Sequence, residues 1–286
     1  MNAALPPSAR SAVKGATGPR LLRPVIVLAA VLLMCALVAP VLAAHGDEHD
    51  ARPTIVLVHG AWAGPSSWDL VVARLHKDGY RTVTPTLDLL SIAGDVATVR
   101  AALDSIRGPK ILVGHSYGGI VISGAASGRS DVLGLVYSAA FAPDQGDSIA
   151  SLGVGFKQSE SFNHLIFTGT PFDSPAFIDP AFFPQFFCQD LNRKRAEALN
   201  AAQRPINFSI VFTPSGPVAW HTLPSWYAVS GKDLMIDPDE QRFMAQRIGA
   251  TTVEFSAASH AGGIASPHYA KEFARLIEKA AVETAE

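Results

Sequence analysis

Ser116 stands in Gly114-His115-Ser116-Tyr117-Gly118, a glycine–x–serine–x–glycine pentapeptide, and is the leading candidate for a nucleophile in this sequence. A serine hydroxyl is a poor nucleophile until a neighbouring base removes its proton. The flanks make the pentapeptide informative. Lys110-Ile-Leu-Val113 ahead of it reads as a buried strand, and Gly119-Ile-Val-Ile-Ser-Gly124 behind it as a helix. A strand-to-helix turn this tight strains the serine backbone and leaves the hydroxyl exposed. Glycines are needed where side chains would collide with the adjoining strand and helix. A serine that merely capped a helix would not need glycine on both sides.

The base should be a histidine, which titrates in the right range. There are nine: His45, His49, His59, His76, His115, His164, His221, His260 and His268. Where a nucleophile sits on such a turn, the chain order is nucleophile, acid, histidine, so the base follows the last strand. His260 meets this condition, in the small-residue loop Ser256-Ala-Ala-Ser-His260-Ala-Gly-Gly263 after a strand at Thr251 to Phe255. His268 falls near the start of the final helix and reads as surface, and His115 as a packing or hydrogen-bonding residue. The acid belongs in the loop after the preceding strand. Ser230-Gly-Lys-Asp233 follows Trp226 to Val229 and puts Asp233 27 residues before His260. Its rivals Asp237 and Asp239 read as helix-start residues, Asp237 as an N-cap.

Acyl transfer develops a negative oxygen that needs preorganised donors. One is the amide of Tyr117, after the nucleophile. The other is assigned to Ala61 in His59-Gly60-Ala61-Trp62, where Gly60 lets the chain turn inward. His59 has no second metal ligand at suitable spacing and reads as a structural residue of that loop. Trp62, Phe186, Trp220 and His221 are the candidates to line the substrate pocket.

Alternating elements must position these groups. Buried strands are expected at Thr54 to Val58, Arg81 to Thr84, Lys110 to Gly114, Val132 to Tyr137, Trp226 to Val229 and Thr251 to Phe255. Helices are expected at Ser67 to Lys77, Ile92 to Ile106, Tyr117 to Ala126, Gln241 to Ile248 and Tyr269 to Ala280. Strand–helix alternation predicts an α/β fold with a doubly wound, mostly parallel sheet. From about Phe141 to Pro224 the rhythm breaks. This stretch is rich in Phe and Pro, holds one helical segment near Leu191 to Gln203, and reads as an inserted cap over the carboxyl edge of the sheet.

The chain has 286 residues, 48% apolar and 17% charged, which suits one large globular domain. Its formal net charge of -2 argues against a nucleic-acid partner. Residues 1–43 carry a basic start (Arg10, Lys14, Arg20, Arg23), an apolar run from Val25 to Ala39, and small residues up to Ala43, as a cleaved signal peptide does. Export to the periplasm or medium, with no stable membrane association after cleavage, is the expectation. Removing those four cations leaves 19 Lys and Arg against 25 Asp and Glu, a net charge of -6. Residues 44–53 form a polar linker carrying His45 and His49. Cys188 then stands alone, without an intramolecular disulfide partner, in the apolar Phe186-Phe187-Cys188.

His59-Gly60-Ala61-Trp62, Gly114 to Gly118, Ser225-Trp-Tyr227 and Ser259-His260 together resemble the α/β-hydrolases, in particular bacterial esterases related to plant methyl esterases and hydroxynitrile lyases. The resemblance covers most of Thr54 to Ala280 and is thinnest through the cap. It implies the α/β-hydrolase fold and hydrolysis of small carboxylic esters, with neither metal nor organic cofactor. The lyases of that group carry threonine in the place of Gly60 and lysine directly after the base, where this chain has Ala261. Without that cation, departing cyanide is not stabilised, so ester hydrolysis is expected over lyase chemistry. A lyase, or a ligand-binding protein on the same scaffold, is the competing expectation. Dehalogenases and typical epoxide hydrolases of this fold use an aspartate nucleophile, which Ser116 replaces.

Overall fold

A computed structural model describes residues 52–285; the signal peptide and most of the linker assigned above lie outside the described residues. The chain enters through β1 (Thr54–Val58), a 3-10 turn (Pro65–Trp68) and α1 (Asp69–Lys77). β2 (Thr82–Val83), α2 (Ile92–Asp104), β3 (Lys110–His115), α3 (Gly118–Ala126) and β4 (Val132–Ser138) follow. After the inserted cap come β8 (Ser225–Ser230), α7 (Pro238–Arg247), β9 (Thr251–Phe255), α8 (Gly262–Ala265) and α9 (Pro267–Glu283). The cap itself carries α4 (Ile149–Leu152), β5 (Leu165–Phe167), β6 (Pro175–Ile178), α5 (Phe183–Phe187), α6 (Arg193–Ala201) and β7 (Ile206–Asn207).

The six strands outside the cap form one sheet in the order β2-β1-β3-β4-β8-β9, and every neighbouring pair is parallel. Such strands are covered by helices on both faces, which is why β1, β3 and β8 are buried at every residue. Helix α3 is apolar nearly all round and buried to match, whereas α9 buries a stripe of Ala270, Phe273, Ala274, Ile277 and Ala281. Register aligns the strand ends. Val58 pairs with Gly114, Gly114 with Tyr137, and Ser138 with Ala228. The loops leaving β1, β3, β4 and β8 therefore converge on the carboxyl edge, where open α/β sheets bind ligands.

The predicted strands and helices are found, with ends displaced by up to three residues. The expected helix at Ser67 to Lys77 begins instead as the 3-10 turn, because Pro65 sets the entry. The cap differs more. It holds a three-stranded antiparallel sheet, β5-β6-β7, where only one helix was expected. Strands of two to four residues are too short to print an alternating pattern. Cys188 lies in the hydrophobic core, fully buried, and burial pushes its thiol up to about 12.

Candidate active site

Ser116 occupies the turn between β3 and α3 with φ of +55°, a left-handed conformation costly for a residue with a side chain. The surrounding hydrogen bonds hold it there. Its amide donates to the Ser138 carbonyl at 3.2 Å, and its carbonyl accepts from Gly119 at 3.0 Å and Phe141 at 3.1 Å. The turn also requires contact too close for side chains. A Cβ on Gly118 would overlap the Val58 carbonyl oxygen, and one on Gly60 would lie 2.7 Å from Ser116 Cβ. The loop after β1 is thus pressed directly onto the serine.

Asp233 and His260, 27 residues apart, meet at 2.7 Å between carboxylate Oδ2 and ring Nδ1, and both are buried. Facing a carboxylate, Nδ1 carries the proton and donates, which leaves Nε2 as the ring's acceptor. Asp233 is held from every side. Its Oδ1 accepts from the amides of Met235 at 2.7 Å and Ile236 at 3.0 Å, and its Oδ2 also accepts from Gln241 Nε2 at 2.7 Å. Asp237 is the N-cap of α7, accepting from the Asp239 amide at 3.1 Å.

His115, next to the serine, donates from Nε2 to the His260 carbonyl at 2.9 Å, with the two rings 4.7 Å apart. Burial first, then the proximity of His260, drives its pKa well below the usual histidine range, so this ring is a neutral strut. Phe187 of the cap closes the other side of His260 at 4.9 Å.

The amides of Ala61 and Tyr117 have no acceptor among the described residues, although both residues are buried. His59 shapes the Ala61 loop. Its Nδ1 donates to the Gly60 carbonyl at 2.9 Å, and its Nε2 accepts from the Leu87 amide at 3.1 Å. Burial brings it down to about 4, so the neutral tautomer that both bonds require is present at neutral pH. Tyr117 is anchored through its hydroxyl, which donates to Asp95 Oδ2 at 2.7 Å, while Asp95 Oδ1 accepts from Asp88 and Leu89 amides.

The pocket residues divide. Trp62 is buried and ties the Ala61 loop to the cap, its indole donating to the Ala176 carbonyl of β6 at 2.9 Å. Phe186 is buried and borders a cavity of about 580 Å³ that also touches Asp190, Lys232 and Asp233. Trp220 and His221 are both tied to the segment that follows β4. Trp220 donates to the Pro143 carbonyl at 2.7 Å, and His221 is bonded at 2.9 Å to Asp144, with 52% of its side chain exposed. Asp95 and Gln241 were not singled out from the sequence. Each sits inside a helix as an ordinary polar residue, and only long-range pairing gives it a role. Among the described residues, no group of three or more His, Cys, Asp and Glu side chains could hold a metal ion.

Comparison with known proteins agrees with this architecture. A profile of the Alpha/beta hydrolase family matches residues 55–276. A carbendazim-hydrolysing esterase from Nocardioides sp. (strain SG-4G) is 38% identical over 110 residues, 34% of this chain and 46% of that esterase, so the match spans about half of the relative. The α/β hydrolase nvfD of Aspergillus novofumigatus is 27% identical over 266 residues, covering 82% of this chain and 99% of that protein. The crystal structure of a pyrethroid hydrolase from Sphingobium faniae JZ-2 superposes with a TM-score of 0.67 at 21% identity, covering 80% of this chain and 97% of that one.

Proposed function

The chain belongs to the α/β hydrolase family, and on that premise we propose that it is a serine esterase cleaving small carboxylic esters through an acyl-enzyme. The observation that carries this reading is the buried Asp233–His260 pair, bonded at 2.7 Å and linked through His115 to a serine strained into the left-handed conformation. Two similar proteins, a carbendazim-hydrolysing esterase and a pyrethroid hydrolase, lend support from outside the chain.

In the proposed cycle His260 takes the Ser116 proton as Oγ attacks the ester carbonyl. The Ala61 and Tyr117 amides, which lack acceptors among the described residues, receive the developing oxyanion. Asp233 fixes the imidazole tautomer and stabilises the imidazolium. The alcohol leaves with the proton held by His260, and water then attacks the acyl group by the same route. Gly60 and Ala261 weigh against cyanohydrin cleavage. Ala261 is buried and its amide is bonded to the Phe187 carbonyl at 2.9 Å, and its methyl side chain supplies no cation at that position.

The test is hydrolysis of p-nitrophenyl esters from acetate to dodecanoate by the wild type and by Ser116→Ala, with fluorophosphonate labelling of each. Activity and labelling that vanish in the variant support the reading. Equal activity in both removes Ser116 from the mechanism. Export through residues 1–43 is proposed alongside, and N-terminal sequencing of protein recovered outside the cytoplasm tests it.

A further inference from the structure

The cap reaches the chain on both sides of His260 and the residue just before Asp233, through four consecutive residues, 187–190. The Phe187 carbonyl accepts from the Ala261 amide at 2.9 Å. Gln189 Nε2 donates to the Lys232 carbonyl at 2.5 Å. Asp190 Oδ1 accepts a hydrogen bond from Ser259 Oγ, while its Oδ2 occupies the space that a Cβ on Gly262 would need. Ser259 is fully buried, and Asp190 is the one hydrogen-bond partner of its hydroxyl among the described residues.

We infer that Asp190 is a positioning residue for His260, and that seating of the cap through segment 187–190 assembles the acid–base pair. This inference rests on the esterase reading above. The physical argument begins with the base loop. Ser256 to Ala261 is built of small residues whose own side chains provide little packing, so its conformation depends on outside anchors. A hydroxyl donating to a carboxylate is among the stronger neutral-to-charged bonds, about twice the strength of a neutral pair. It holds the peptide joining Ser259 to His260. The Phe187–Ala261 bond holds the peptide on the other side. Releasing the first lets the imidazole swing, and a displacement of about 1 Å at a reacting group costs on the order of 10²-fold in rate. The cap that would enclose the substrate is then also the element that aligns the base. A chain with its cap unseated would neither enclose the ester nor activate Ser116.

The experiment uses the full chain with p-nitrophenyl acetate, comparing wild type with Asp190→Ala, Ser259→Ala, the double variant and Asp190→Asn. Melting temperature is followed for each, together with the rate of fluorophosphonate labelling. The expected result is a fall in kcat of roughly 10- to 100-fold in each alanine variant, KM within about twofold, and a double variant no worse than either single one. Asp190→Asn, which keeps an acceptor for Ser259, recovers most of the rate. Labelling slows in proportion to kcat. Unchanged kcat in Asp190→Ala, or losses that multiply in the double variant, overturns the inference. Should Asp190→Ala fail to fold, Ser259→Ala removes the same bond by deleting one oxygen and decides alone. Wild-type protein that is never labelled would sink the esterase reading instead, and this result is separate from the comparison among variants.

Discussion

Gln241 and His260 donate to the same oxygen of Asp233, each from 2.7 Å. The Gln241 side chain is fully buried and both its ends are occupied. Nε2 also donates to the Ile236 carbonyl at 3.0 Å, and Oε1 accepts from the Ser230 amide at 2.9 Å. One amide thus ties the end of β8, the acid loop and the carboxylate together.

Two substitutions separate these roles. Gln241→Leu leaves the Ser230 amide and the Ile236 carbonyl without this partner, so a loss of about 2–4 kcal/mol is expected in chemical denaturation. Gln241→Glu places a second carboxyl on Asp233 Oδ2, where burial and the neighbouring charge keep the introduced group protonated above the usual carboxylate range. While protonated it still donates; once ionised it repels. Esterase activity of this variant is therefore expected to fall as pH rises towards 8, a range in which the wild type keeps its rate. A pH profile parallel to the wild type would refute this account of the bond.

Gly60 is predicted to be irreplaceable for catalysis. An added Cβ would stand 2.7 Å from Ser116 Cβ and 3.0 Å from the His115 carbonyl oxygen, so either the serine or the Ala61 loop must move. Moving that loop takes the Ala61 amide away from the oxyanion, and one such donor is worth about 10²–10³ in rate. Gly60→Ala is expected to lose kcat/KM by about that factor. Retention of more than a tenth of wild-type kcat/KM on p-nitrophenyl acetate would show that the contact is tolerated.

Asp95 anchors Tyr117, 22 positions further along the sequence, and supplies stability more than chemistry. Burial raises the pKa of its carboxyl above the usual range, opposed by the bonds from Tyr117, Leu89 and Asp88. Tyr117→Phe keeps the oxyanion amide and removes only the hydroxyl, leaving Asp95 Oδ2 without its donor. The expected outcome is about 1–3 kcal/mol lost in a denaturant melt, with kcat changed by less than about tenfold. A kcat loss without any stability loss would reverse the assignment.

Those residues explain how far the sequence could be read. β1 was legible because four consecutive apolar residues, Ile55 to Val58, lie between Pro53 and Gly60, and Ser116 because its glycines sit between a buried strand and an apolar helix. Asp233 and His260 followed from chain order alone. Asp95, Gln241 and Asp190 were not legible, since each is an unremarkable polar residue whose partner is set by tertiary packing. The partners of Trp220 and His221, Pro143 and Asp144, were not legible for the same reason: only the folded chain brings them together. The cap strands, two to four residues long, left no period to detect.

Glu240 is predicted to weaken the fold as pH rises. It is 4% exposed, its Oε1 has no hydrogen-bond partner, and burial, with Asp237 and Asp233 nearby, pushes its carboxyl up to about 7. In the unfolded chain the same carboxyl ionises near the ordinary value of about 4.3. Below about pH 4 it is protonated in both states and costs nothing. Between there and pH 7 the unfolded chain releases its proton while the folded chain keeps it, so stability falls. Above 7 the loss has reached its plateau, on the order of 3 kcal/mol. Glu240→Gln keeps the shape and removes the ionisation. Its stability relative to wild type, from urea melts at pH 4.5, 6 and 8, is expected to grow from each pH to the next. A difference that stays constant over the three pH values would mean that Glu240 does not titrate in this window.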